Sequence, residues 1–245
     1  RSILYIHRVL NKALKDAVND GIVIRNPAEG VPRPTVRKFQ NGIYDAHMLK
    51  RLLETVKGTD LQIPVTLAVC LGLRRGEVLG LQWENINFNT REVEIRQQAS
   101  YNEHKKIIEL TTLKTENSIR TLPMPEGLVE LLLKYKEAQG EIKKMVGSDY
   151  TDNGLICCHN DGSPLNPKSF SKKFRRFLER NNLPAIRFHD LRHSYATLML
   201  QLNVDLKVTS VMLGHSSVTI TADIYQDALE QKKQASDAIQ ANLFE

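Results

Sequence analysis

Almost everywhere along this chain the apolar residues recur at steps of three and four, but between residues 92 and 122 they alternate with polar ones. A strand period confined to one stretch sets the architecture: mostly helical, with a small antiparallel sheet inserted, an α+β arrangement. Glu92-Val93-Glu94-Ile95-Arg96-Gln97-Gln98 reads as a strand. So do Lys106–Leu110 and Ile119–Leu122, flanking a polar turn at Thr115-Glu116-Asn117-Ser118. Helices are predicted over 45–57, over 61–72 with Pro64 tolerated in the first turn, and briefly over 75–81. Further helices are predicted over 126–146, 167–180, 189–201, 205–213, 217–225 and 228–241.

Ahead of these elements, residues 3–20 carry a single amphipathic stripe that Asp20-Gly21 ends. The stretch from Arg25 to Gln40 holds Pro27, Pro32 and Pro34 and no apolar periodicity, which marks a linker. A lone helix cannot bury its own stripe, so the chain is expected to begin inside a domain whose earlier part lies outside this sequence. At 245 residues, 41% hydrophobic and 25% charged, the composition is that of a globular protein rather than a disordered one. No apolar run reaches the roughly 18 residues that span a bilayer, and Arg1 opens no signal peptide. Three cysteines, two of them the adjacent Cys157 and Cys158, form neither a disulfide framework nor a metal knuckle, so a reducing compartment is expected. The net charge of +6 favours a polyanionic partner.

Four spots depart from what packing alone would choose. Gly72-Leu73-Arg74-Arg75-Gly76-Glu77 places two arginines at the end of an apolar helix. Read structurally, it is a loop with an arginine paired to Glu77; read chemically, Arg74 is the buried guanidinium and Arg75 the solvated one. Guanidinium suits bidentate contact with phosphate. His189-Asp190-Leu191-Arg192-His193 opens a helix, with His189 and Arg192 on one face. The four-residue spacing of His189 and His193 also fits a metal pair, but the glutamate of a zinc motif is missing and Arg187 and Arg192 oppose a dication. Leu213-Gly214-His215-Ser216-Ser217 is a turn between helices, and Tyr225 follows His215 by ten residues. Lys114, beside the polar turn, is by default a solvated tip. Together these spots supply two arginines, two histidines, a lysine and a tyrosine, without a carboxylate pair or metal cage. That inventory suits stabilising charge on a phosphoryl centre.

The ordered set resembles the catalytic domain of the tyrosine recombinase (phage integrase) family, in wording similar to integrases of conjugative transposons. Gly72-Leu73-Arg74-x-x-Glu77 matches the first arginine motif, and Leu113-Lys114-Thr115 before Ser118-Ile119-Arg120-Thr121 the hairpin lysine. His189-x-x-Arg192-His193-Ser194, Leu213-Gly214-His215 and Tyr225 match the H-x-x-R box, the second histidine motif and the nucleophile. The resemblance implies strand exchange of double-stranded DNA at mobile-element ends and targets through a 3′-phosphotyrosine. In it Tyr225 attacks, Arg74 and Arg192 hold the non-bridging oxygens, and Lys114 protonates the departing 5′-oxygen, with Lys106 the next candidate. His189 assists the proton at the tyrosine, His215 donates to a phosphate oxygen, and Glu77 orients. No cofactor, metal or ATP is implied.

The resemblance also divides the chain. Residues 1–25 would be the last helix of a core-binding domain, 26–40 the interdomain linker, and 41–245 the catalytic domain. Its tail, 226–245, would be exchanged between protomers of a homo-oligomer on DNA. A directionality factor is a further expected partner, a membrane is not, and the expected location is the bacterial cytoplasm. Two other classes share these motifs: a type IB-like enzyme that only relaxes DNA, and a catalytically silent DNA-binding protein on the same fold.

Overall fold

The computed structural model of the chain describes residues 2–32, 42–113, 118–214, 219, 221 and 222. The chain divides into two units, residues 1–40 and 41–245. In the first, α1 (Ser2–Asn19) stops where expected, with Gly21 at a φ of 69°. Asn26 then donates from its side chain to Asn11 and accepts the N–H of Ala28 at 2.9 Å, which turns the chain at Pro27.

The second unit is built around α3 (Gln62–Leu71), which is apolar and buried except along the stripe of Gln62, Thr66 and Cys70. Such a helix is stable only inside a protein. It is enclosed by α2 (Ala46–Thr55), α4 (Arg75–Gly80), α5 (Glu126–Val146) and α7 (Asp190–Gln201). Val65, Leu67 and Ala68 are fully buried there, alongside Leu52 and Leu132. α6 (Pro167–Arg180) begins as its sequence demands: the Asn166 side chain caps the N–H of Lys168 at 2.8 Å, and proline fills the first helical position. It buries Phe170, Phe174 and Leu178, and the edge of Phe188 meets the first two rings at 4.9 and 5.3 Å. α8 (Leu206–Leu213) is capped in the same way by Asp205.

The strands differ from the sequence reading. The alternating run at 92–98 is split at Arg96 between two sheets. β2 (Glu92–Ile95) lies between β1 (Ile86–Asn87) and β5 (Arg120–Pro123) in an antiparallel three-stranded sheet, facing Val93 and Ile95 to the core. Among the described residues β3 (Gln97–Asn102) pairs only with β4 (Ile107–Thr112), from Gln97 opposite Thr112 to Asn102 opposite Ile107. The hairpin turn therefore sits at 103–106; the strands on either side of the turn expected at 115–118, β4 and β5, belong to different sheets, and residues 114–117 lie outside the described residues. The turn was hard to see because it contains no glycine. Instead the Asn102 side chain accepts the N–H groups of His104 and Lys105, each at 3.1 Å, and Lys106 takes a φ of 55°. β3 packs on α4, which Gly80 permits: a Cβ there would lie 2.6 Å from the Ala99 nitrogen. The helices expected over 217–225 and 228–241 lie outside the described residues, apart from 219, 221 and 222, which are helical.

Candidate functional site

Two glycine helix stops create the site. α3 ends at Gly72 (φ 64°) and α8 at Gly214 (φ 64°), so both helices present their terminal carbonyls to the same region. Gly72 is also required for space, since a Cβ would lie 2.5 Å from the Tyr195 ring and 2.8 Å from Leu213. Into these carbonyls reach the two arginines that the sequence singles out. Arg192 of α7 is fully buried and donates to Gly72 O at 3.0 Å and to Leu213 O. Arg74 donates to Gly214 O at 2.8 Å. The negative ends of two helix dipoles thus offset the cost of holding guanidinium charge in a poorly solvated place. Burial foremost, then the positive charge of Arg74, lowers the Arg192 pKa to about 9, which leaves it charged at neutral pH.

Glu77, one turn into α4, balances this charge. Its side chain is fully enclosed, with one oxygen 2.7 Å from Arg74 Nη1 and the other 2.9 Å from Arg120 Nη2. Burial would raise its carboxyl. Hydrogen bonds and charge from Arg120, the charge of Arg74 and the Arg74 backbone N–H instead hold it below the usual carboxylate range. Arg74 pairs with Glu77, as the structural reading expected, and it also lines a cavity.

That cavity has a volume of about 580 Å³ and is lined by Arg74, Arg75, Lys172, Arg175, Arg187 and His189 over an apolar floor of Ile186 and Phe188. No carboxylate lines it among the described residues. Arg192 does not line it either. Both arginines differ from expectation: Arg74, expected buried, and Arg75, expected solvated, are alike half-buried, and Arg75 donates to Ser171 of α6 at 2.6 Å. The sequence reading missed Lys172 and Arg175; the only available signal was their position three apart on the polar face of α6.

His189 precedes α7 at its N-cap position, and its ring meets the edge of His193 at 5.1 Å. Desolvation, then the charges of His193 and Arg192, push its pKa down to about 4. It is a neutral imidazole at pH 7, able to accept a proton. A histidine-selective NMR titration should place its midpoint below pH 5, whereas a solvated histidine titrates near 6.5; a midpoint above 6 would contradict the geometry. Among the described residues no group of three or more His, Cys, Asp or Glu side chains is gathered as for a metal ion. No described helix is long and apolar enough to cross a membrane. Lys106 sits exposed at the β3–β4 tip. Lys114, His215 and Tyr225 lie outside the described residues.

The fold has counterparts among known structures. The fold matches the Tn1549 transposon integrase solved with a circular-intermediate DNA: TM-score 0.75, 17% identity, 94% of this chain and 78% of that one. It also matches the XerA recombinase, at a TM-score of 0.61 and 20% identity over 91% of this chain and 72% of that one. The fold is that of tyrosine recombinase catalytic domains. Residues 44–232 match the phage integrase family, and the chain belongs to it. It is 32% identical over 247 residues to a tyrosine recombinase XerC-like protein of Caldanaerobacter subterraneus subsp. tengcongensis, covering 92% of this chain and 63% of that protein. It is 30% identical over 227 residues to the ICEBs1 integrase of Bacillus subtilis, covering 92% of this chain and 61% of that protein. The chain thus spans less than two thirds of the length of these relatives.

Proposed function

We propose that the chain is the core of a site-specific DNA recombinase that cleaves and rejoins strands through a 3′-phosphotyrosine, excising and integrating a mobile element. One observation carries the reading. Arg192 and the start of the first arginine motif, 120 residues apart in sequence, meet at Gly72, with Arg74 held beside them by Gly214. Each of these guanidiniums has five N–H groups and gives two of them to the protein bonds described above, which leaves donors for a phosphate.

In the reading, the Tyr225 oxygen attacks the scissile phosphorus and the bond to the 5′-oxygen breaks. Neutral His189 takes up the phenolic proton and Lys114 supplies one to the departing 5′-hydroxyl. Arg74, Arg192 and His215 stabilise the charge on the phosphoryl oxygens. A 5′-hydroxyl of the partner strand then attacks the phosphotyrosine and releases Tyr225, so the backbone bond is conserved without ATP. The guanidiniums and Lys114 supply the positive charge, so no metal is needed. Residues 1–25 would be the closing helix of a core-binding domain, 26–40 its linker, and 226–245 a tail passed to a neighbouring protomer on DNA. A directionality factor would bias the outcome. Names of similar proteins support the reading: the ICEBs1 integrase, and the Tn1549 integrase with its circular-intermediate DNA.

The test is a nicked suicide duplex carrying candidate element ends, incubated in EDTA. A covalent protein–DNA adduct is expected; an adduct formed only after Mg²⁺ or Zn²⁺ is restored, with binding unchanged, would refute the chemistry.

Beside the reacting phosphate, the cavity's Lys172 and Arg175 would take flanking phosphates. The double variant Lys172→Ala/Arg175→Ala should flatten the plot of log affinity against log salt by about 2, since each phosphate contact contributes about 0.9 to the slope. An unchanged slope would place the DNA backbone elsewhere.

A further inference from the structure

Arg120 had no part in the chemistry read from the sequence, yet its side chain makes four hydrogen bonds beside the site. It opens β5, opposite Ile95, and is buried. Its guanidinium reaches Glu77 in α4, Met212 near the end of α8 and, two residues back along its own stretch, Ser118. Nη2 and Nη1 donate to the two Glu77 oxygens at 2.9 and 3.3 Å; Nε donates to Met212 O at 2.7 Å; Nη1 also donates to Ser118 O at 3.1 Å. Gly214 leaves it room, for a Cβ there would lie 3.0 Å from Nη1.

Each of these segments borders a candidate catalytic residue. Glu77 is shared with Arg74. Met212 and Gly214 close α8 immediately before His215. Ser118 follows Lys114 by four residues. A closed circuit results: Arg120 to Glu77, Glu77 to Arg74, Arg74 to Gly214 O, and the end of α8 back to Arg120. A buried ion pair of this kind is a poor source of stability compared with apolar residues of the same size. What it supplies is a fixed geometry.

We propose that Arg120 is a positioning residue that ties Ser118, four residues after Lys114, and the end of α8, which leads into His215, to the arginine–glutamate pair Arg74–Glu77. It acts through those groups and does not touch DNA. This rests on the recombinase reading above, because the residues it places are the ones that reading uses.

The experiment compares wild type, Arg120→Met, Arg120→Lys and Lys114→Ala on two nicked substrates. One has a normal phosphate, the other a 5′-bridging phosphorothiolate, whose leaving thiolate needs little protonation. Both Arg120 variants should bind the duplex and unfold cooperatively. Their cleavage of normal DNA should fall by about 100-fold, the lower range for loss of a general acid. On the phosphorothiolate the deficit should shrink by about tenfold, in the same sense as for Lys114→Ala. A merely structural role would slow both substrates equally. Equal deficits, or cleavage of normal DNA within a few-fold of wild type, would overturn the proposal. If Arg120→Met does not fold, Arg120→Lys, which keeps the charge beside Glu77 but cannot reach Glu77, Met212 and Ser118 together, gives the same ratio. Wild type forming no adduct on either substrate would instead bring down the recombinase reading itself, a result distinct from any variant's deficit.

Discussion

With Tyr225 replaced by phenylalanine, the protein is expected to bind its DNA normally and to trap no covalent adduct. Loss of only the hydroxyl preserves packing, so the effect should appear in chemistry alone. Its size should be on the order of 10⁵–10⁶-fold, as when a hydrolase loses its nucleophile. The competing hydroxyl, Tyr195, is three residues beyond Arg192 on α7. It is 5% exposed, packed against Gly72, and burial raises its pKa to about 12. Tyr195→Phe should therefore still form the adduct. Digestion and mass spectrometry should find the nucleotide on the peptide that contains Thr221–Gln226. An adduct on any other peptide, or one surviving in Tyr225→Phe, would displace Tyr225 from its role.

Glu77→Gln should bring the largest loss of stability. The carboxylate stands between Arg74 and Arg120 without contact with water, and glutamine leaves two guanidiniums without a counter-charge. Breaking a buried pair in this way costs about 3–5 kcal/mol, readable in the urea midpoint at pH 7. The sign with pH follows from the lowered carboxyl. The carboxylate's contribution is complete above its unfolded pKa of about 4.3 and fades as the pH falls through the lower folded value. The gap between wild type and variant should thus be constant above about pH 6 and narrow below about pH 4. Equal stabilities at neutral pH, or a gap unchanged in acid, would show that the pair does not act as drawn.

The helices were legible because their signals are local. Asn166-Pro167 starts α6 and the glycines after Leu71 and Leu213 stop α3 and α8, all readable within a few residues. Of the residues singled out in sequence, Arg74, Glu77 and Arg192 come together at those helix ends, and His189 stands at the N-cap of α7. The two sheets were not legible, because strand pairing is decided by residues far apart. Ile95 finds Arg120, not its neighbour Gln97's partner strand, and no local pattern states that. Arg120 itself resembled a strand residue beside a motif; its burial and three-way bonding exist only once α8 is packed over β5. The basic cavity was hidden for a related reason, since it needs α6 beside the loop that carries Arg187 and His189.

The glycine stops at 72 and 214 have a further consequence for the timing of an entropic cost. A free arginine side chain loses close to 2 kcal/mol of rotamer freedom when it is fixed, and a site that fixed two of them on meeting DNA would add that cost to its barrier. Here the carbonyls of Gly72, Leu213 and Gly214 already hold both side chains in place. Their ordering is completed as the protein folds, so little reorientation of the surrounding dipoles is left for the moment at which a phosphate gains charge.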